Sequence, residues 1–100
     1  MGLKIAQDFT YEGDDWWKWW IWIDGTETEL DRISEVIYTL HPTFPDPVRT
    51  VRDRSTKFRL ETAGWGTFRI LAKVVPKSGK PIVLQHDLVL NYPGGEPAVA

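Results

Sequence analysis

The segment from Trp16 to Ile23, WWKWWIWI, contains five of the six tryptophans in this sequence. Successive residues of a β-strand point to opposite faces, so a strand here carries two different rows of side chains. One row is Trp17, Trp19, Ile21 and Ile23, and the other is Trp16, Lys18, Trp20 and Trp22. The Asp24-Gly25 pair that follows is a strong turn signal, and it predicts the end of the strand.

The composition is that of one folded domain. The chain has 100 residues, 42% of them hydrophobic and 26% charged, and its net charge is −2. With a net charge of −2 the domain has no overall positive potential that would attract nucleic acids or membranes. The absence of cysteine excludes disulfides, thiolate metal sites and cysteine nucleophiles. Because no signal peptide or membrane-spanning run is visible, we expect a cytoplasmic protein.

Short strand candidates alternate with turn signals along the rest of the chain. They are residues 3–10, 33–40, 57–62, 67–74 and 81–92. In 33–40, Val36, Tyr38 and Leu40 share one face. The three prolines of HPTFPDPV, residues 41–48, exclude regular structure and predict a stiff loop.

Only residues 27–37, ETELDRISEVI, have a helical pattern, and they are short and β-branched at their end, so we expect no helix. Six or seven strands without helices predict an all-β fold, an immunoglobulin-like antiparallel β-sandwich. We assign residues 1–93 to a single domain. Residues 94–100, in a stretch rich in Pro, Gly and Ala, are predicted to be a flexible C-terminal tail or the start of a linker.

Three segments in this order resemble the YEATS domain family: WKWWIWIDG (17–25), LHPTFPDPVR (40–49) and GWGTF (64–68). The resemblance extends from about Trp17 to Tyr92. In eukaryotic chromatin proteins this domain is an immunoglobulin-like sandwich that binds acylated lysine. Residues 4–17 depart from the eukaryotic pattern, and the chain is more similar to prokaryotic YEATS-like domains. Trp19 matches the family's strand tryptophan, so its row is expected to face the core.

The resemblance implies a non-catalytic site for an acylated lysine, an acetyl- or crotonyl-type amide. Phe44 and Trp65 match the two aromatic residues that sandwich the acyl group. Thr43 matches a hydroxyl residue that hydrogen-bonds the amide, and the backbone N–H groups of Trp65 and Gly66 are further donors. His41 matches a histidine that orients the pocket wall. Three of these residues have a structural alternative: Phe44 as a plug in the sandwich end, His41 as a structural histidine and Thr43 as a turn residue.

Two further features concern the pocket rim. Gly64, like Gly66, is expected to let the backbone turn tightly and approach the ligand. The resemblance places Asp15 or Trp16 where the family has an aromatic from the loop before the second strand, and only Trp16 can fill that role. Glu12, Asp14 and Asp15 lie in the same loop, where they either attract basic residues flanking the lysine or form a solvated turn. We expect no cofactor and no metal ion.

Three other functions compete with this interpretation. An enzyme is not favoured, because no nucleophile elbow, phosphate-binding loop or metal-binding histidine spacing is present. Nucleic-acid binding depends only on the local basic run RTVRDRSTKFR, residues 49–59, which alternatively is a solvated edge. A protein–protein interaction scaffold is the main alternative: Trp20 and Trp22, on the outer face of the sheet, would dock a partner protein, and no acyl-lysine would bind.

Overall fold

The computed structural model describes residues 2–98 and forms a sandwich of two antiparallel sheets. The strands are β1 (Lys4–Gly13), β2 (Trp16–Asp24), β3 (Ile33–Thr39), β4 (Val48–Val51), β5 (Leu60–Gly64), β6 (Arg69–Pro76) and β7 (Ile82–Asp87). The first sheet has the order β1-β2-β5 and the second the order β4-β3-β6-β7. The predicted immunoglobulin-like sandwich is confirmed.

Strand β2 lies in the middle of its sheet and carries one side of the core. Trp17, Trp19, Ile21 and Ile23 are all 0% exposed, which confirms the assignment of this row to the interior. Residues of the second sheet face them, and Val36, Tyr38 and Leu40 are buried as the pattern predicted. Because β2 is paired on both edges, its register positions the residues at the ends of β1 and β5.

The outer face of β2 is partly covered. Trp20 and Trp22 are half-buried. Trp20 lies between Asp8 on β1 and Glu61 on β5, and the guanidinium carbon of Arg59 is 5.0 Å from its ring centroid. A cation over an indole ring is favourable and shields the ring from water. The outer face therefore offers less open aromatic surface than the sequence alone suggested.

The prediction of no helix was wrong. Helix α1 spans Glu27–Asp31, one short turn between β2 and β3. Thr26 and Glu29 form a reciprocal capping box: the Glu29 N–H donates to Thr26 Oγ1 (3.1 Å) and the Thr26 N–H donates to Glu29 Oε1 (2.9 Å). These bonds satisfy donors that a free helix end leaves unpaired. Leu30, fully buried, fixes the turn to the core.

The chain after β7 turns back on itself. Asn91 forms an isolated bridge with Pro97, and the Ala98 N–H donates to the Leu90 carbonyl at 2.8 Å. Of the predicted tail, 94–98 belongs to this turn, while residues 99 and 100 lie outside the described residues. The flexibility of the tail and the domain boundary at 93 stay predictions.

Candidate functional site

The proline-rich loop between β3 and β4 is closed by backbone hydrogen bonds. The Leu40 N–H donates to the Pro47 carbonyl at 2.7 Å, and the Phe44 N–H donates to the His41 carbonyl at 3.0 Å. Asp46 has a φ of 48°, a left-handed conformation that Asp tolerates better than most residues. The loop is therefore a fixed turn, which projects Phe44 toward the end of the sandwich.

Arg49 holds this loop from the first residues of β4. Its Nε donates to the Asp46 carbonyl at 3.0 Å, and its Nη2 donates to the Pro45 carbonyl at 2.9 Å. The guanidinium carbon also lies 6.0 Å from the centroid of the Phe44 ring. A planar fork of donors suits two neighbouring carbonyls, a geometry that lysine does not provide. Arg49, grouped by its sequence with the basic run, thus has a structural role at the loop.

The second loop of the site joins β5 to β6. Trp65 directly follows β5 and is 61% exposed, so little of its side chain packs against the domain. Within residues 2–98, the backbone N–H groups of Trp65 and Gly66 donate no hydrogen bond. They are two free donors beside an exposed aromatic ring.

Gly64 has a different role from the one predicted. It lies in β5, paired with Trp17, and is not among the glycines with a positive φ. A methyl group there would lie 3.5 Å from Phe44 Cζ and 3.7 Å from Trp19 Nε1, which is ordinary van der Waals contact. Gly64 therefore leaves space at the base of the site, and it makes no tight turn.

An aromatic cluster forms the floor between the two loops. The Phe44 ring is 5.3 Å from Phe68 and 6.1 Å from Trp19, centroid to centroid, and Phe68 is 5.9 Å from both Trp19 and His41. Such tilted and edge-to-face pairs contribute about 0.5–1.5 kcal/mol each beyond area burial. The Trp19 indole N–H, fully buried, finds no hydrogen-bond partner within the described part of the chain.

The two loops enclose a cavity of about 300 Å³ at this end of the sandwich. All seven residues predicted for the site line this cavity: Trp16, His41, Thr43, Phe44, Gly64, Trp65 and Gly66. Four further lining residues were not predicted: Pro45, Ala63, Thr67 and Phe68. Phe68, at the start of the predicted strand 67–74, packs against the core and also borders the cavity. Its position inside GWGTF was the available signal.

Hydrogen bonds orient Thr43 and His41 at the cavity wall. Thr43 Oγ1 is 2.9 Å from His41 Nδ1, and the Thr43 N–H also points to this nitrogen at 3.3 Å. A backbone N–H only donates, so Nδ1 is the acceptor in this arrangement. The Thr43 hydroxyl then donates to Nδ1, which leaves the lone pairs of Oγ1 free to accept.

The basic run 49–59 does not form an open phosphate-binding patch. Besides Arg49, three of its arginines are in ion pairs: Arg52 with Glu35 (2.9 Å), Arg54 with Glu27 (2.7 Å) and Asp31 (2.9 Å), and Arg59 with Glu61 (3.2 Å). In residues 2–98 no group of three or more His, Asp or Glu side chains is arranged to hold a metal ion. No helix of this described region has the length and apolarity to cross a membrane.

Sequence comparison finds eukaryotic relatives of this chain. It is 41% identical over 46 residues to transcription initiation factor TFIID subunit 14 of Schizosaccharomyces pombe, covering 46% of this chain and 18% of that protein. It is 38% identical over 58 residues to the protein AF-9 homolog of Saccharomyces cerevisiae, covering 56% of this chain and 25% of that protein. The chain thus spans about a quarter or less of these two relatives.

Structural comparison finds the same fold in YEATS domains. The Yaf9 YEATS domain bound to H3K27ac superposes with a TM-score of 0.71 at 25% identity, covering 90% of this chain and 70% of that one. The Yaf9 domain recognizing an H3K122suc peptide gives 0.67 at 26% identity, covering 86% and 68%. Residues 17–89 match the family described as the prokaryotic YEATS domain. The chain therefore belongs to the prokaryotic YEATS domain family.

Proposed function

We propose that this domain binds an acylated lysine side chain, with the acyl amide held between Phe44 and Trp65. The observation that carries the proposal is the cavity of about 300 Å³ that both aromatic residues line together with Thr43 and His41. This volume lies at the lower end of small-molecule sites, about 300–1,000 Å³. Two YEATS structures of the same fold contain or recognize acylated histone peptides, H3K27ac and H3K122suc.

The aromatic residues supply most of the affinity. Phe44 is half-buried and supported from behind by Phe68 and Trp19, so its ring is held in place before the ligand arrives. Trp65 is 61% exposed, so it has apolar surface to bury against an acyl chain. Stacking of a planar amide on such rings contributes about 1 kcal/mol beyond the area that is buried.

The polar groups match both ends of an amide. The free lone pairs of Thr43 Oγ1 accept the acyl amide N–H, because the hydroxyl proton is given to His41 Nδ1. The unpaired N–H groups of Trp65 and Gly66 donate to the acyl carbonyl. An amide buried with both groups paired avoids the cost of an unsatisfied polar atom, about 1–3 kcal/mol.

The lining favours the acylated form over unmodified lysine. None of the residues that line the cavity is acidic, so a lysine ammonium has no counter-charge there. Transfer of an unpaired charge from water into such a site is costly. The exposed Glu12, Asp14 and Asp15 lie in the turn before Trp16, where they favour basic residues that flank the modified lysine.

Titration of the domain with one lysine peptide in four forms tests the proposal. The forms are unmodified, acetylated, crotonylated and trimethylated, and binding is measured by calorimetry and by two-dimensional amide NMR. We expect saturable binding of the acetylated and crotonylated peptides only, with amide shifts at residues 64–66 and around Phe44. Trimethyl-lysine controls for an aromatic cage that binds any cation by cation–π attraction.

Trp65→Ala is the informative variant, and Val83→Ala is its control. Loss of one stacking ring and its apolar contacts, about 1.5–3 kcal/mol, weakens binding at least tenfold. Trp65 and Val83 are 61% and 60% exposed, so neither substitution is expected to unfold the domain. Absence of binding at millimolar acylated peptide, or equal binding by Trp65→Ala, would refute the proposal.

The competing functions have less support. YEATS domains are non-catalytic modules, so family membership confirms that this chain is not an enzyme. The scaffold alternative needs an open tryptophan face, whereas Trp20 and Trp22 are half-buried. The paired arginines of the basic run give no support to nucleic-acid binding. A cytoplasmic location stays a prediction from the sequence.

A further inference from the structure

The turn between β1 and β2 has an unusual backbone. Gly13, Asp14 and Asp15 have φ values of 94°, 52° and 57°. Two central residues with positive φ are typical of a type I′ hairpin turn, where Asn-Gly or Asp-Gly is preferred. Side chains other than glycine are disfavoured in this region, so an Asp-Asp turn needs support from its surroundings.

Two tyrosines supply that support, and both act on Asp15. The Tyr92 hydroxyl donates to Asp15 Oδ1 at 2.7 Å, and the Asp15 N–H donates to the Tyr11 hydroxyl oxygen at 3.1 Å. The hydrogen bond to Asp15 raises the pKa of the Tyr92 hydroxyl above its ordinary value, as expected for a phenol beside a carboxylate. Hydrogen bonds thereby hold both the backbone and the side chain of Asp15.

Tyr92 is itself fixed to the core. Its ring is 4.8 Å from Trp17 and 5.5 Å from Tyr11, with edge-to-face geometry. The neighbouring Asn91 carbonyl accepts a hydrogen bond of 2.9 Å from Trp17 Nε1, and Trp17 is 0% exposed. The Tyr92 N–H donates to the Glu96 carbonyl at 2.7 Å. These contacts fix the position from which the Tyr92 hydroxyl reaches Asp15.

The residue after Asp15 is Trp16, which lines the cavity and is 44% exposed. Because nearly half of its surface is open, its place at the cavity depends on the turn that precedes it. We infer that Tyr92 is a positioning residue for the pocket: through Asp15 it holds the turn that keeps Trp16 at the pocket mouth. This inference rests on the proposed function and adds a residue outside the cavity to the binding machinery.

A double-mutant cycle between Tyr92→Phe and Trp16→Ala tests this role, with the affinity for the acetylated peptide as the readout. Tyr92→Phe keeps the ring and removes only the hydrogen bond, so we expect affinity about threefold to tenfold weaker. If Tyr92 acts through Trp16, the same substitution has no effect in the Trp16→Ala background. Equal losses in both backgrounds would overturn the inference.

Tyr38→Phe is the control for a merely structural effect. Tyr38 is fully buried and lies outside the cavity, so this variant loses stability while its affinity stays that of the wild type. A matching loss of affinity in Tyr38→Phe would show that reduced stability alone weakens binding, which would also overturn the inference.

The indole N–H signal of Trp16 in the free protein separates this inference from the proposed function. We expect Tyr92→Phe to shift or broaden that signal without any peptide present. An unchanged signal overturns the positioning role. If the signal changes while the wild-type domain binds no acylated peptide, the proposed function fails and the support of the turn by Tyr92 stands.

Discussion

Replacement of Tyr38 by phenylalanine removes one oxygen atom from the centre of the sandwich. Tyr38 is 0% exposed, and its hydroxyl donates to the Phe58 carbonyl at 2.7 Å. Phe58 is equally buried, and both it and Lys57 have a φ of 60°. The hydroxyl therefore pairs a buried carbonyl and holds a left-handed segment that precedes β5.

The expected loss follows from the carbonyl that is left behind. An unsatisfied acceptor in the core costs about 1–3 kcal/mol, so the free energy of unfolding falls by about 2 kcal/mol. For a domain of this size, 1 kcal/mol corresponds to about 4–8 °C in the midpoint of thermal unfolding. We expect the midpoint of Tyr38→Phe to lie about 10 °C below that of the wild type.

Calorimetry and urea unfolding measure this difference, with Tyr11→Phe as the control. Tyr11 is half-buried, and its hydroxyl accepts from the exposed Asp15 N–H, which water also reaches. The turn before Trp16 then loses one of its two supports, but the free energy of unfolding falls by less than about 0.5 kcal/mol. A midpoint of Tyr38→Phe within about 2 °C of the wild type would refute the reasoning, since the carbonyl would then not depend on the hydroxyl.

Alkaline unfolding gives a second measurement of the same group. Burial raises the pKa of Tyr38 well above its ordinary range. Its contribution to stability is therefore complete below about pH 10, the unfolded pKa, and is lost as the pH rises further. The wild type should lose stability above that pH more steeply than Tyr38→Phe, and parallel curves would contradict the assignment.

Two further predictions concern His86 and Arg49. Burial lowers the pKa of His86, whose Nε2–H donates to Gln7 Oε1 at 2.6 Å. The contribution of His86 to stability is therefore present above its unfolded pKa of about 6.5 and is lost as the pH falls. Thermal unfolding should show that a fall to pH 5 lowers the midpoint of the wild type more than that of His86→Asn. Arg49→Lys keeps the charge but loses the paired donors to the Pro45 and Asp46 carbonyls. Calorimetry should therefore show an affinity for the acetylated peptide about threefold to fivefold weaker. Unchanged affinity would contradict the role of Arg49 in the loop.

Local patterns predicted much of the fold. The alternation in Trp16–Ile23 assigned the two faces of β2, and the prolines of 41–48 predicted the loop that bears Phe44. Periodicity and turn residues act over a few positions, which is why they are visible in one sequence. Two elements were missed. The Thr26–Glu29 capping box of α1 is present in the sequence, but the β-branched residues after it favoured a strand, and β4 (Val48–Val51) begins at the end of the predicted proline-rich loop.

Contacts between distant parts of the chain were beyond such patterns. The Tyr92–Asp15 hydrogen bond joins residues 77 positions apart, and the Gln7–Val89 bonds join residues 82 apart. Family resemblance supplied the site residues, but not the support of the turn before Trp16. The sequence also did not show why position 64 is a glycine, because the space that Gly64 leaves is bounded by Phe44 and Trp19, which lie on another loop and another strand.

The unpaired indole of Trp19 beneath Gly64 has a consequence for any attempt to stabilise this domain by substitution. A serine at position 64 would fit by ordinary contact, its Cβ 3.7 Å from Trp19 Nε1, and its hydroxyl would give the indole a partner. That bond would stabilise the fold by about 1 kcal/mol, yet the added atoms would fill the floor beside Phe44. Gly64→Ser is therefore expected to stabilise the fold while it narrows the pocket from below, so stability and an open site make opposite demands on position 64.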